Sequence, residues 1–171
     1  MLWGTGIYTA QQQDDLRQQI REQLGEAKPK VPLPGQAYAI LKIPSIQVNA
    51  VVVEGTDTED LKRGPGHYEQ TNDPWQNHGR VGIAGHRTTY GAPFWDLDKV
   101  ERGDIVTLIT RFGTYAYRVS RTEEIQPTQA GVLDPTRKPT LVLTTCTPRF
   151  SAALRLIVYG VRIPGRGAAP P

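Results

Sequence analysis

The single cysteine, Cys146, ends the apolar run Thr140-Leu141-Val142-Leu143-Thr144-Thr145, and Pro148 follows two residues later. Proline cannot continue a central ladder, so the thiol stands where a strand stops. A thiol there is either a small buried hydrophobe or a nucleophile. The next apolar run, Leu154-Arg155-Leu156-Ile157-Val158-Tyr159, carries Arg155 near its start. If a hairpin joins the runs, Cys146 and Arg155 lie at the same end of adjacent strands. A guanidinium stays protonated and offers five donors, enough to steady a thiolate or an acyl oxyanion. The competing reading makes Cys146 core and Arg155 the solvent face of an alternating strand. Arg149 is the rival cation, because it is close to Cys146 in sequence, but it lies in the turn, so the hairpin favours Arg155.

A thiol nucleophile needs a base, most often histidine. The chain has 3 histidines. His86 follows Val81-Gly82-Ile83-Ala84-Gly85, at the end of a buried strand beside a glycine that admits close approach. His67 and His78 stand among Gly, Pro, Asn and Asp and are expected in exposed loops without a role. No Gly-x-Ser-x-Gly elbow is present, and Gly4-Thr5-Gly6 precedes no phosphate-binding turn. The histidines lack carboxylates at ligand intervals, and one cysteine can build neither a disulfide nor a zinc cage. No metal and no cofactor is expected.

These residues need a sheet to carry them. Tyr38 to Ile43, Gln47 to Val53, Arg80 to Ala84, Asp104 to Arg111, Thr114 to Arg121, Thr140 to Thr145 and Leu154 to Tyr159 read as strands. Their regular spacing without βαβ alternation predicts an all-β antiparallel barrel or sandwich. Asp57 to Lys62 reads as one helical turn, Phe94 to Val100 as a short helix, and Gln126 to Lys138 as a long loop. Before the barrel, Thr9 to Gly25 reads as a helix capped by Thr9, with a narrow stripe of Leu16, Ile20 and Leu24. The Pro-rich segment that follows is a stiff spacer. The expected organisation is a helix and spacer over 1–35, a globular domain over 36–163 and a disordered tail over 164–171.

Composition limits the partners. The chain has 171 residues and a net charge of +3, too small an excess to argue for nucleic acid. It has no apolar run long enough to span a membrane. Trp3 and Tyr8 fit equally the outer edge of a membrane helix or a vector-derived leader.

With these residues in view, the chain resembles the sortases. Thr140 to Cys146 resembles their cysteine signature, Gly85-His86-Arg87 their histidine motif, and Arg155 falls where their active-site arginine lies. Ile43-Pro44-Ser45-Ile46 followed by Val51-Val52-Val53-Glu54-Gly55 resembles their first two strands. Cys146-Thr147-Pro148-Arg149-Phe150-Ser151 and Gly64-Pro65-Gly66-His67-Tyr68 are most similar to class E of actinobacteria, with class F as neighbour.

The resemblance implies a closed eight-stranded β-barrel with short helices and an N-terminal helix. It places that barrel on the outer face of the plasma membrane, held by an anchor that this sequence lacks. It also implies a cysteine transpeptidase that cleaves a Leu-Ala-X-Thr-Gly or Leu-Pro-X-Thr-Gly sorting signal of surface proteins between Thr and Gly. The acyl group then passes to an amine of the cell-wall precursor. Cys146, His86 and Arg155 would be catalytic, and Tyr68, Thr145, Thr147, Ala84 and Arg149 would contact substrate. Val142, Leu133 and Ile157 with Ala84 are candidates for an apolar groove. Arg87 is expected to be structural, and the loop before Arg80, with Glu69 and Asp73, shows no calcium-type acidic cluster. A thiol hydrolase of the same fold and a noncatalytic surface-protein-binding barrel are the alternatives.

Overall fold

Residues 2–164 are described by the computed structural model. Strands β1 (Ala37–Ile43), β2 (Val48–Glu54), β3 (Gly66–His67), β4 (Arg80–Ala84), β5 (Ile105–Thr110), β6 (Gly113–Ile125), β7 (Thr140–Thr147) and β8 (Leu154–Arg162) form the sheet. It closes into a barrel in the order β1-β2-β3-β4-β7-β8-β6-β5, as the resemblance implied. The pairing is not antiparallel throughout: β2–β3 and β4–β7 are parallel. Parallel neighbours cannot be joined by a tight turn. The β2–β3 crossover holds helix α2 (Thr58–Arg63). β5, β6 and the 126–139 segment lie between β4 and β7 in the chain, which displaces β7 to the far side of β4.

Aliphatic and aromatic residues fill the barrel. Leu41, Val52, Ile83, Leu108, Tyr117, Leu143 and Val158 point inward and are almost fully buried. The strand β7 is buried on both faces over Leu141–Thr145, so its sequence lacks the apolar/polar alternation of a surface strand. Its inward face carries Leu141 and Leu143; Val142 belongs to a second cluster on the outer face with Ile125, Ile157 and Tyr159.

Several local expectations are corrected. Helix α1 runs Leu2–Leu24, so Thr9 lies inside it rather than capping it. Thr9 is instead buried, its hydroxyl 2.9 Å from the Lys62 carbonyl. Leu16 and Ile20 pack on Ala37 and Val51, whereas Leu24 is exposed. Polar bonds do the rest of the docking. The Gln13 amide donates to the Val51 and Arg63 carbonyls and accepts the Val51 N–H at 2.7–2.9 Å, extending the edge of β2. The expected helix over Phe94 to Val100 is a 3-10 turn at Leu97–Lys99.

His67 is not an exposed loop residue. It lies in β3 at 1 % exposure. Two residues are too short a strand to show periodicity. No described helix is long and apolar enough to cross a membrane. The side chain of Trp3 and the tail over 165–171 lie outside the described residues.

Candidate active site

Strand register assembles the site. In the antiparallel β7–β8 pair Cys146 stands directly opposite Arg155, and Thr144 opposite Ile157. Directly opposed residues share a face with Cβ atoms about 5 Å apart. In the parallel β4–β7 pair Ala84 aligns with Thr144. The pairing continues past the strand end: the Gly85 N–H donates to the Thr144 carbonyl at 3.1 Å, and the Thr145 hydroxyl to the Gly85 carbonyl at 2.7 Å. That register delivers His86 to the level of Cys146. Val142, Thr144 and Cys146 alternate with inward-facing Leu141 and Leu143, so the thiol belongs to the outer wall of the barrel. The sulfur is half-buried and in no disulfide.

Three arginines, Arg87, Arg149 and Arg155, are candidates for a charge near Cys146, and the structure separates them. Arg87 is 4 % exposed. It donates to the Cys146 carbonyl at 3.1 Å and the Trp95 carbonyl at 2.9 Å, and pairs with Asp98 at 2.8 Å. Arg149 donates to the Trp95 carbonyl, pairs with Asp96 at 3.1 Å and Asp98 at 3.3 Å, and lies over the Trp95 ring. Both charges are therefore committed, and they pin the Cys146 peptide and the β7–β8 turn to the segment around Trp95. Arg155 bonds only backbone carbonyls, those of Ala152 and Leu154 at 3.2 and 3.3 Å. Among the described residues no carboxylate pairs with it, so its donors remain open to a ligand.

His86 is half-buried, and burial pushes its imidazole below the ordinary value of 6.5 by disfavouring the charged form. Gly85 has to be glycine, since a Cβ there would come within 2.6 Å of the fully buried Phe94 ring.

The outer face beside the thiol carries an apolar patch that is covered rather than open, with Val142 0 % and Ile157 1 % exposed. Val142, Ile157 and Leu133 share one apolar cluster there. Tyr68 bonds Thr144 through its hydroxyl at 2.8 Å, one outward position from Cys146. Of the other expected contacts, Ala84 is 8 % exposed, Thr145 3 % and Thr147 4 %. The Thr145 hydroxyl is engaged by Gly85, and that of Thr147 donates to Glu124 at 3.2 Å. Both threonines thus tie strand ends together.

The sequence alone did not reveal what holds Tyr68. His67 Nδ1 meets Glu54 at 2.7 Å, and its Nε2 lies 3.1 Å from both the Thr71 hydroxyl and the Asn72 carbonyl. Because the Thr71 hydroxyl gives its proton to the Tyr68 carbonyl at 2.7 Å, Nε2 carries a hydrogen. The buried His67–Glu54 pair fixes the segment that presents Tyr68. Glu54, His67 and Asp73 offer ligand atoms within 4.8 Å of one another. These atoms already bond one another or a neighbour: Asp73 accepts the Tyr38 hydroxyl at 2.6 Å. A ladder pair, Glu54 opposite His67, brings together residues that no local pattern couples.

Residues 41–163 match the family model described as a sortase domain. Sortase SrtE1 of Streptomyces coelicolor is 32 % identical over 182 residues, covering 96 % of this chain and 52 % of that protein. The chain thus spans about half of that relative's length. The crystal structure of Sortase E1 from Streptomyces coelicolor with a tripeptide in the active site superposes with a TM-score of 0.73 at 34 % identity, covering 78 % of this chain and 92 % of that one. A Clostridium perfringens Sortase D5 transpeptidase superposes at 0.80 with 26 % identity, covering 90 % and 99 %. With a closed barrel, a thiol and an arginine opposed across β7 and β8, and a histidine at the end of β4, this chain belongs to the sortase family.

Proposed function

We propose that the protein is a cysteine transpeptidase acting on a Leu-Ala/Pro-X-Thr-Gly sorting signal of surface proteins at the outer face of the plasma membrane. The observation that supports this reading is the β4–β7–β8 order, with Arg155 opposite Cys146 on one side of β7 and β4, which His86 follows, on the other. The catalytic unit is the barrel over 36–163. The Streptomyces sortase E1, solved with a tripeptide in its active site, supports a peptide ligand for the same wall.

The Cys146 thiolate attacks the carbonyl carbon of the Thr–Gly bond. Arg155 and a backbone N–H near Thr145 or Thr147 hold the oxyanion. His86 gives its proton to the departing glycine amine, and the C–N bond breaks to leave a thioester. A cell-wall amine then attacks, losing its proton to His86, and the C–S bond breaks. The outer wall around Thr144, with Ala84 and Tyr68, takes the signal's side chains, while Arg149 borders it; Val142 and Ile157 are buried against Leu133 and support that wall from within. Thr145 and Thr147 shape its end. Tyr68 is the residue we assign to discrimination between alanine and proline in the signal.

The test is mass spectrometry of the protein mixed with Leu-Ala-X-Thr-Gly and Leu-Pro-X-Thr-Gly peptides, with and without oligoglycine. An acyl adduct on Cys146 that passes to oligoglycine is expected, and Cys146→Ala abolishes it. Release of free acid alone, unaffected by the amine, would make the protein a hydrolase. No adduct, with Cys146 inert to alkylation in the folded chain, would remove the enzyme reading.

A further inference from the structure

The His86 ring lacks the partner that usually orients a catalytic imidazole. A base of this kind normally has its second nitrogen held by a carboxylate or carbonyl. Among the described residues no hydrogen bond to the His86 ring is formed. What touches it is Tyr90, whose ring centroid lies 5.2 Å away at 39° between planes.

Tyr90 reaches that position at a conformational cost. Three successive residues, Tyr90, Gly91 and Ala92, have positive φ of 51°, 76° and 41°. Only the glycine adopts this region freely, and a bulky side chain there is a true outlier. Such strain persists only where the surroundings over-determine it. Here they do. The Phe94 N–H returns to the His86 carbonyl at 3.2 Å, closing the loop on the residue it serves. The Ala92 N–H bonds the Thr89 carbonyl at 2.9 Å, and the Trp95 N–H bonds the Ala92 carbonyl at 3.0 Å. From outside, Gly91 rests against buried Thr9 of α1, so close that an added Cβ would stand 3.0 Å from the Thr9 methyl. The turn is wedged between α1 and His86.

We propose that Tyr90 is a positioning residue for His86, its ring holding the imidazole beside Cys146 and keeping water off one face. The role rests on the reading of His86 as acid and base. The lowered imidazole value, caused by burial, fits a ring that is covered rather than paired. No charged neighbour contributes to that shift; Arg87, next in the chain, is turned to Asp98 and the Cys146 carbonyl, and Cys146 of β7 stands opposite Arg155 of β8. The arrangement also gives α1 a part in the site, because Thr9 backs the turn that carries Tyr90.

Two variants suit the backbone and remove the ring. Glycine and asparagine both accept positive φ, so Tyr90→Gly and Tyr90→Asn relieve the strain rather than add to it. NMR titration of the imidazoles in a Cys146→Ala background follows His86 without a coupled thiol, with the resonance assigned by its loss in His86→Gln. The expected result is a His86 midpoint moved up toward the ordinary value in both variants, and left in place by Tyr90→Phe. With Cys146 restored, kcat falls about tenfold or more while KM stays within about twofold, and Tyr90→Phe restores kcat. Thermal stability is retained. An unmoved His86 midpoint in folded Tyr90→Gly and Tyr90→Asn overturns the proposal. A moved midpoint with wild-type turnover, together with activity in His86→Gln, instead overturns the role of His86 itself.

Discussion

Replacing Arg155 by alanine tests the division of labour among the three guanidiniums. Arg87 and Arg149 meet Asp96, Asp98 and the Trp95 carbonyl, whereas Arg155 faces Cys146 across the ladder without a carboxylate. A donor aimed at a developing oxyanion is worth about 10²–10³ in rate, about 2.7–4 kcal/mol. Arg155→Ala is therefore expected to lower kcat/KM at least about a hundredfold, or about 2.7 kcal/mol. Arg155→Lys keeps the charge but not the planar fork and should recover only part of the loss. Arg149→Ala breaks partly exposed ion pairs of about 0–1 kcal/mol each and should cost less than about tenfold. The assay is cleavage of a fluorescence-quenched signal peptide with saturating amine, with melting curves to show that each variant is folded. An Arg155→Ala enzyme near wild type, beside an Arg149→Ala enzyme reduced a hundredfold, would transfer the oxyanion role to Arg149 and refute the charge assignment.

Two other outcomes follow from buried polar groups. Glu54→Ala leaves His67 without its carboxylate in a site where the side chains are 8 % and 2 % exposed. Breaking a buried pair costs about 3–5 kcal/mol. At about 2–4 °C per kcal/mol for a chain of this size, differential scanning calorimetry should show a fall of about 6–20 °C. A fall of less than about 2 °C would mean the pair adds nothing to the fold. The Tyr117 hydroxyl is buried with no hydrogen-bond partner among the described residues, and burial pushes its ionisation well up. Tyr117→Phe removes that orphan without opening a cavity and is expected to leave chemical-denaturation stability unchanged or higher. A clear loss would show that the hydroxyl has a partner.

The chemistry-bearing residues stood out because their types are scarce and their places are strand ends. One cysteine before a proline, one histidine after a glycine-flanked strand and one arginine in an apolar run left few combinations. The strands themselves were legible from β-branched runs, and Cys146 opposite Arg155 followed from a local hairpin. By contrast, the role of His67 was misjudged, because β3 is two residues long and its partner Glu54 is reached only through a parallel crossover. The same holds for α1. Periodicity saw its narrow stripe but not Gln13 and Thr9, whose side chains bond the backbone of remote segments.

Local propensity and short-range pairing, acting through neighbours a few residues apart, determined the strand positions, the thiol–guanidinium pair and the expectation of a sheet. Closure of the barrel decided the rest. It set β4, which His86 follows, beside β7, and it committed Arg87 and Arg149 while leaving Arg155 without a carboxylate among the described residues. It also bent the strained turn that lays Tyr90 on the imidazole. Those contacts join residues far apart in the chain, and their energies exist only once the intervening segments have folded into place.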